Sequence, residues 1–309
     1  MPVSRAVALV SCALSLSACD VVQRIASRVA EAREEPAAPA VDESKVASAA
    51  IPAAAVASTP APAAAAVPGP TPDVELPAPT QPASAGTFEW VYSPAKKDAL
   101  KRYEPLFQHG RLASVVEVMK MLELPRTVPV VPLECGTPNA FYASKKHGVV
   151  ICYELADLFY HRFLEAGADD QSAANSTLNA LTFVMLHEMG HAAIGELELG
   201  VTGGEEDSVD DLAAVLLVDS GHAEWAFDGA RSMTLLSKGT RAAYFDEHSM
   251  GEQRFYNITC IVFGSDPMKY LALVERGLLP NQRAARCPKE YEQKDKAWQG
   301  LLAAHMRKK

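Results

Sequence analysis

The stretch LTFVMLHEMGHAAIGELELG, residues 181–200, decides the fold. Its first part is apolar on every side, and a helix with that composition belongs inside a protein. Yet it carries His187, Glu188 and His191. In a helix, positions four apart share one face, about one turn along the axis. Two imidazoles at that spacing on rigid backbone can chelate one ion. Glu188, beside the first, would project toward an open coordination position and exchange a proton with water there. The plain alternative is two core histidines that fall at helical spacing by chance, as HExxH does in roughly one or two chains per hundred of this length. The setting argues for the ion: the helix is long and apolar, and Gly190 and Ala192 permit close packing beside the second histidine. Two buried histidines and a glutamate without partners would also be costly.

Such a site wants a third ligand from another element, with one position left for water. After the Gly-bearing loop ELELGVTGG (196–204) comes EEDSVDDLAAVLLVD (205–219). Acids crowd its first turn, which suits a helix N-terminus whatever else they do. Leu212, Val215 and Leu216 form a face that packs inward. Glu206 and Asp210 are four apart and share a face. Glu206 is the expected third ligand, and Asp210 would accept a hydrogen bond from a ligand histidine. Glu205 and Asp211 are the competing assignments. Neutral imidazoles and one carboxylate suit Zn2+.

Every Phe, Trp and Tyr lies at or after Phe88, so nothing earlier can build a sizeable core. One folded domain over 88–309 is expected. The formal net charge of −9, with no basic cluster outside the last few residues, argues against a nucleic-acid partner.

The N-terminus reads as an address. MPVSR supplies a positive charge, AVALVSCALSLSA is a short apolar run, and LSAC (16–19) follows. The run is too short to span a bilayer comfortably. This pattern resembles a bacterial lipoprotein signal, residues 1–18, which implies lipidation of Cys19. Asp20 then implies retention at the inner membrane with the domain facing the periplasm. An ordinary secretory signal cleaved near Ala18 is the alternative, and both export the chain. Residues 20–35 read as a weak helix. From Pro36 to about Gly86 the Ala/Pro-rich composition cannot offset its ordering entropy, so a disordered tether over 19–87 is expected.

Export leaves Cys135, Cys152, Cys260 and Cys287, an even number in an oxidising compartment, hence two disulfides with three possible pairings. Neighbourhood favours Cys135–Cys152 and Cys260–Cys287. The apolar period predicts helix over 96–123, broken near His109–Gly110. TVPVVPLEC (127–135) and HGVVICYE (147–154) read as strands with GTPNAFYASKK (136–146) as a loop between them. Helices are expected at 154–166, 173–194, 205–218, 223–236 and 266–277. A small sheet followed mostly by helices is α+β.

With these pieces in place the chain resembles the gluzincins, zinc peptidases of zincin-like fold whose third ligand is glutamate. It is similar, more narrowly, to a bacterial metallopeptidase family carrying HEMGHA. The resemblance rests on NAFY (139–142), CYEL (152–155), HEMGHA (187–192), EEDSVDDLAA (205–214), HSMGEQRFYN (248–257) and CPKEY (287–291). Val209 departs from it, because the gluzincin pattern usually has Ala there. The segment 244–260 is a second place for chemistry. Peptide hydrolysis develops an oxyanion, and His248 is the expected donor, with Tyr256 second. The alternative is that Arg254 pairs with a carboxylate and the segment packs under the site. His147, His161 and His222 read as surface or loop residues. The expectation is a membrane-tethered, extracytoplasmic zinc endopeptidase acting on a peptide or protein, with Glu188 as base. Its rival is a non-enzymatic, zinc-stabilised envelope lipoprotein serving as an adaptor.

Overall fold

The computed structural model describes residues 74–76, 85–237 and 251–307. The signal peptide, Cys19, most of the expected tether and His248 lie outside the described residues. The architecture is α+β: a small mixed sheet and a helical remainder. The folded unit reaches upstream of the expected start at Phe88. Gly86 pairs with Leu124, and Val74 and Leu76 pack on the sheet.

Among the described residues the strands are β1 (Phe88–Trp90), β2 (Val128–Leu133), β3 (Ala140–Ala143) and β4 (Gly148–Cys152), in the order β1-β2-β4-β3. β1, β2 and β4 are parallel, and β3 runs antiparallel to β4 along one edge. Two prolines in β2, a strand with neighbours on both sides, would ordinarily break the ladder. Here they fall where no N–H is needed. Val128 and Val130 bond toward β1, so Pro132 on the same side lies beyond the end of β1. Pro129, on the other side, precedes the pairing with β4.

Three short helices follow β1: α1 (Asp98–Lys101), α2 (Glu104–Gln108) and α3 (Gly110–Met119). They replace the two expected over 96–123. Pro105 opens α2, and His109 is extended and accepts from the Arg111 N–H as the cap of α3. After the sheet come α4 (Tyr153–Glu165), α5 (Asp170–Leu197), α6 (Glu205–Asp219), α7 (Ala223–Ser237) and α8 (Gly251–Ser265). The chain closes with the single turns α9 (Ala272–Glu275) and α10 (Asn281–Ala284), then α11 (Cys287–Leu302).

α5 is the spine. Asp169 caps it, accepting from the Ser172 N–H at 2.7 Å. Glu198, left-handed at φ 51°, stops it and lets the Leu199 N–H reach the Ile194 carbonyl. In between, the helix is wrapped by β3, β4, α4, α6 and α7. Ala180, Leu181, Thr182 and Phe183 follow one another around the helix and are all fully buried, so every side is covered there. That enclosure is why the sequence shows no amphipathic stripe there.

Both disulfides form in the favoured pairing. Cys135–Cys152 ties the β2–β3 loop to the end of β4, and Cys260–Cys287 ties α8 to α11. Several expectations need correction. NAFY is not wholly loop, because Ala140–Ala143 forms edge strand β3, turned into β4 over residues 144–147. The helix expected at 266–277 is mostly turns, with one helical turn at α9. Helices α8 and α11 were not anticipated. His222 is not a surface residue: it is 1% exposed and stacks on Trp225 at 3.8 Å, with Arg111 lying 4.0 Å from the Trp225 ring centre.

Candidate metal centre

The site forms where α5 meets α6. His187 and His191 lie one turn apart on α5, and the first turn of α6 brings Glu206 across to them. Glu206 Oε2 is 3.3 Å from His187 Nε2, and its Oε1 is 3.2 Å from His191 Nε2. The two Nε2 atoms are 3.2 Å apart. One donor atom from each of the three residues can be chosen so that all lie within 4.8 Å of one another.

Two small contacts permit this approach. Gly190, between the histidines, faces α6 so closely that a Cβ there would come within 2.9 Å of Val209 Cγ1. Val209, the departure from the gluzincin pattern, is therefore the residue against which Gly190 packs. The loop before α6 turns at Gly203 with φ +110°, a backbone conformation that favours glycine.

The far nitrogen of each histidine is also held. His187 Nδ1 lies 2.8 Å from Asp210 Oδ1, and His191 Nδ1 lies 2.7 Å from Glu205 Oε1. Carboxylates only accept, so each ring carries its proton on Nδ1. Both Nε2 lone pairs then point at each other and at the Glu206 oxygens. Acceptors facing acceptors at these distances repel unless a positive charge sits among them. The donor set therefore fits a divalent cation, with two imidazole nitrogens and one carboxylate as ligands.

A buried ion pair supports the arrangement from behind. Arg254 on α8 donates from Nε to Asp210 Oδ2 at 2.7 Å and from Nη2 to Oδ1 at 2.8 Å. Both side chains are almost fully buried. Burial alone would raise the Asp210 pKa, but Arg254 and His187 outweigh it and hold it below the usual carboxylate range. Asp210 thus stays ionised and keeps His187 in register. The pairing of Arg254 with a carboxylate, weighed for the segment 244–260, is observed, and His248 lies outside the described residues.

Without a metal, a proton takes the cation's place. Burial would lower the His187 pKa; hydrogen bonds to Asp210 and Glu206, with the charges of Asp210 and Glu188, overcome this and raise it to about 9. His191 is shifted the same way. A pKa raised on folding stabilises the fold fully below the unfolded value, about 6.5, and that contribution is lost as pH rises through about 9. The metal-free chain is therefore expected to lose thermal stability between about pH 6.5 and 9, and the metal-loaded chain is not. Metal uptake at pH 7 should release about one proton from His187. Thermal melts across pH and calorimetry in buffers of different ionisation enthalpy measure the two effects. A flat metal-free profile would contradict this assignment of charge.

Glu188 is buried on the side of α5 facing the sheet. Its Oε2 accepts the backbone N–H of Tyr142 from β3 at 3.0 Å. The two rival residues weighed from sequence have other partners. Glu205, considered as a rival ligand, instead holds His191. Asp211 turns away to pair with Lys294, and burial raises its pKa to about 6. Tyr256, the second candidate oxyanion donor, lies on α8 at 38% exposure, its ring edge-on to Phe255. The roles of Glu205 and Tyr142 had no sequence signal, because each depends on how separate elements pack.

Residues 92–302 match the sequence model of a family described as "Putative metallopeptidase". The match covers more than half of the chain, and the chain belongs to this family. No curated protein and no solved structure matches the chain.

Proposed function

We propose, from the premise that the chain belongs to this metallopeptidase family, that it is a zinc-dependent endopeptidase of gluzincin type and zincin-like fold. One observation carries the reading: His187, His191 and Glu206 converge from two helices with Glu188 beside them. A structural zinc site usually closes with a fourth protein ligand and needs no general base. This one offers three ligands and places a carboxylate next to them.

A zinc ion held there supplies a Lewis acid for the scissile carbonyl and makes a nearby water more acidic. The chain's own groups do the rest. Glu188 takes the proton from the attacking water and returns it to the leaving amine. Asp210 and Glu205 fix the two imidazoles with Nε2 inward. Arg254 balances Asp210, so that His187 can remain neutral when the ion is bound. His248 is the proposed oxyanion donor.

The N-terminal signal supports export and anchoring through Cys19, with Asp20 favouring the inner membrane and a domain facing the periplasm. No helix among the described residues is long and apolar enough to cross a membrane. The test is hydrolysis of a broad peptide library by the purified full chain, before and after chelation and after return of zinc. Activity that disappears with the chelator and returns with zinc is the expected result. Bound zinc without hydrolysis of any peptide would support the adaptor reading instead.

A further inference from the structure

α5 carries a second buried acid that the proposed reaction does not use. Glu196 lies two turns beyond Glu188 on the helix, and its side chain is only 3% exposed. Oε1 accepts the Tyr142 hydroxyl at 2.6 Å and lies 2.6 Å from His147 Nδ1. Oε2 is 3.0 Å from Arg126 Nε, an ion pair without the angle of a hydrogen bond. Arg126 Nη1 lies 3.1 Å from His147 Nε2 and can only donate. His147 therefore accepts on Nε2 and donates to Glu196 from Nδ1. To make these contacts His147 takes φ 51°, a conformation uncommon outside glycine. One buried carboxylate thus gathers the strand β3, the turn after it and Arg126 just before β2.

Tyr142 belongs to both acids. Its backbone N–H is on Glu188, and its hydroxyl is on Glu196. The ring spans the two helical turns between them. A Cβ at Gly195 would come within 3.3 Å of Tyr142 Cε1. A larger residue at 195 would lift the ring and the strand with it.

We infer that Glu196 and Tyr142 are positioning residues for Glu188. Glu196 holds the Tyr142 side chain along α5, and this keeps the Tyr142 amide on Glu188 Oε2 and leaves Oε1 to take the proton. The inference rests on the reading of Glu188 as general base. It explains why a helix already holding the metal ligands carries another buried acid with three partners from the sheet side.

The test uses the full chain with zinc, as Tyr142→Phe, Glu196→Gln and the double variant. Tyr142→Phe keeps the ring on Gly195 and removes only the hydroxyl, so its fold should persist even if Glu196→Gln folds poorly. Two quantities are read: kcat and KM for peptide hydrolysis, and hydrogen exchange of the Tyr142 amide. Each single variant should lower kcat about tenfold, with KM within about twofold and zinc content unchanged, because a misplaced base slows chemistry more than binding. The amide should exchange about tenfold faster. The double variant should be no worse than the stronger single one, because both act through one contact. Unchanged amide exchange in Tyr142→Phe would overturn the inference whether or not the protein turns over. So would faster exchange with an unchanged kcat. If exchange responds but the parent chain hydrolyses nothing, the coupling stands and the peptidase reading falls.

Discussion

Glu188→Gln is expected to slow peptide hydrolysis by about a thousandfold while leaving zinc in place. The substitution is nearly isosteric. Glutamine keeps a side-chain oxygen that can accept the Tyr142 N–H, which lies 3.0 Å from Glu188 Oε2. Glu188 is outside the convergent ligand set of His187, His191 and Glu206. What disappears is the group beside that set that can take a proton from water. General acid–base catalysis contributes roughly 10²–10⁴-fold, and the loss should fall in kcat because the carboxylate acts in the transition state. Metal analysis beside initial-rate kinetics separates the two effects. A rate within a few-fold of the parent would remove Glu188 from the role of base.

Arg254→Leu is expected to destabilise the fold by about 3–5 kcal/mol and to weaken zinc binding as well. Arg254 makes two hydrogen bonds to Asp210, with both side chains almost out of solvent. Removing the guanidinium leaves a buried carboxylate with only the His187 ring beside it. The Asp210 pKa, now held low by Arg254, would rise and the group would protonate or turn. Either outcome loosens the hold on His187 Nδ1, which should cost about ten- to a hundredfold in metal affinity. Denaturant midpoints of the metal-free chain and zinc titrations measure the two losses. The double variant with Asp210→Asn should recover part of the stability, because the stranded charge is gone. A loss below about 1 kcal/mol would show that Asp210 finds another partner.

The metal centre was unusually legible in the sequence. His187, Glu188 and His191 lie on one helix, where spacing fixes direction, and Glu206 and Asp210 share a face of the next helix. What spacing cannot carry is depth and rotation between elements. Glu205 and Glu206 are neighbours with the same charge. Only the packing of α6 on α5 sends one across the ligand nitrogens and the other to the far side of His191. Strand β3 was hidden for a related reason: both of its faces are covered, Phe141 against Val74 and Leu76 and Tyr142 against α5, so no polar alternation marks it. α8 contains NITCIVF, whose β-branched residues are modest helix formers, yet it folds as helix because its apolar residues pack against α6 and α7. α11 is so charged that its few buried anchors, Trp298 and Leu302 among them, give little period to follow.

The central claim is that His187, His191 and Glu206 hold one zinc. Its most direct measurement is zinc content, by elemental analysis and native mass spectrometry, of the purified full chain and its ligand variants. The account predicts about one zinc per chain in the parent, loss of that zinc in His187→Ala and in His191→Ala, and affinity weakened at least about tenfold in Glu206→Gln. Full zinc occupancy in the double variant His187→Ala/His191→Ala would contradict it.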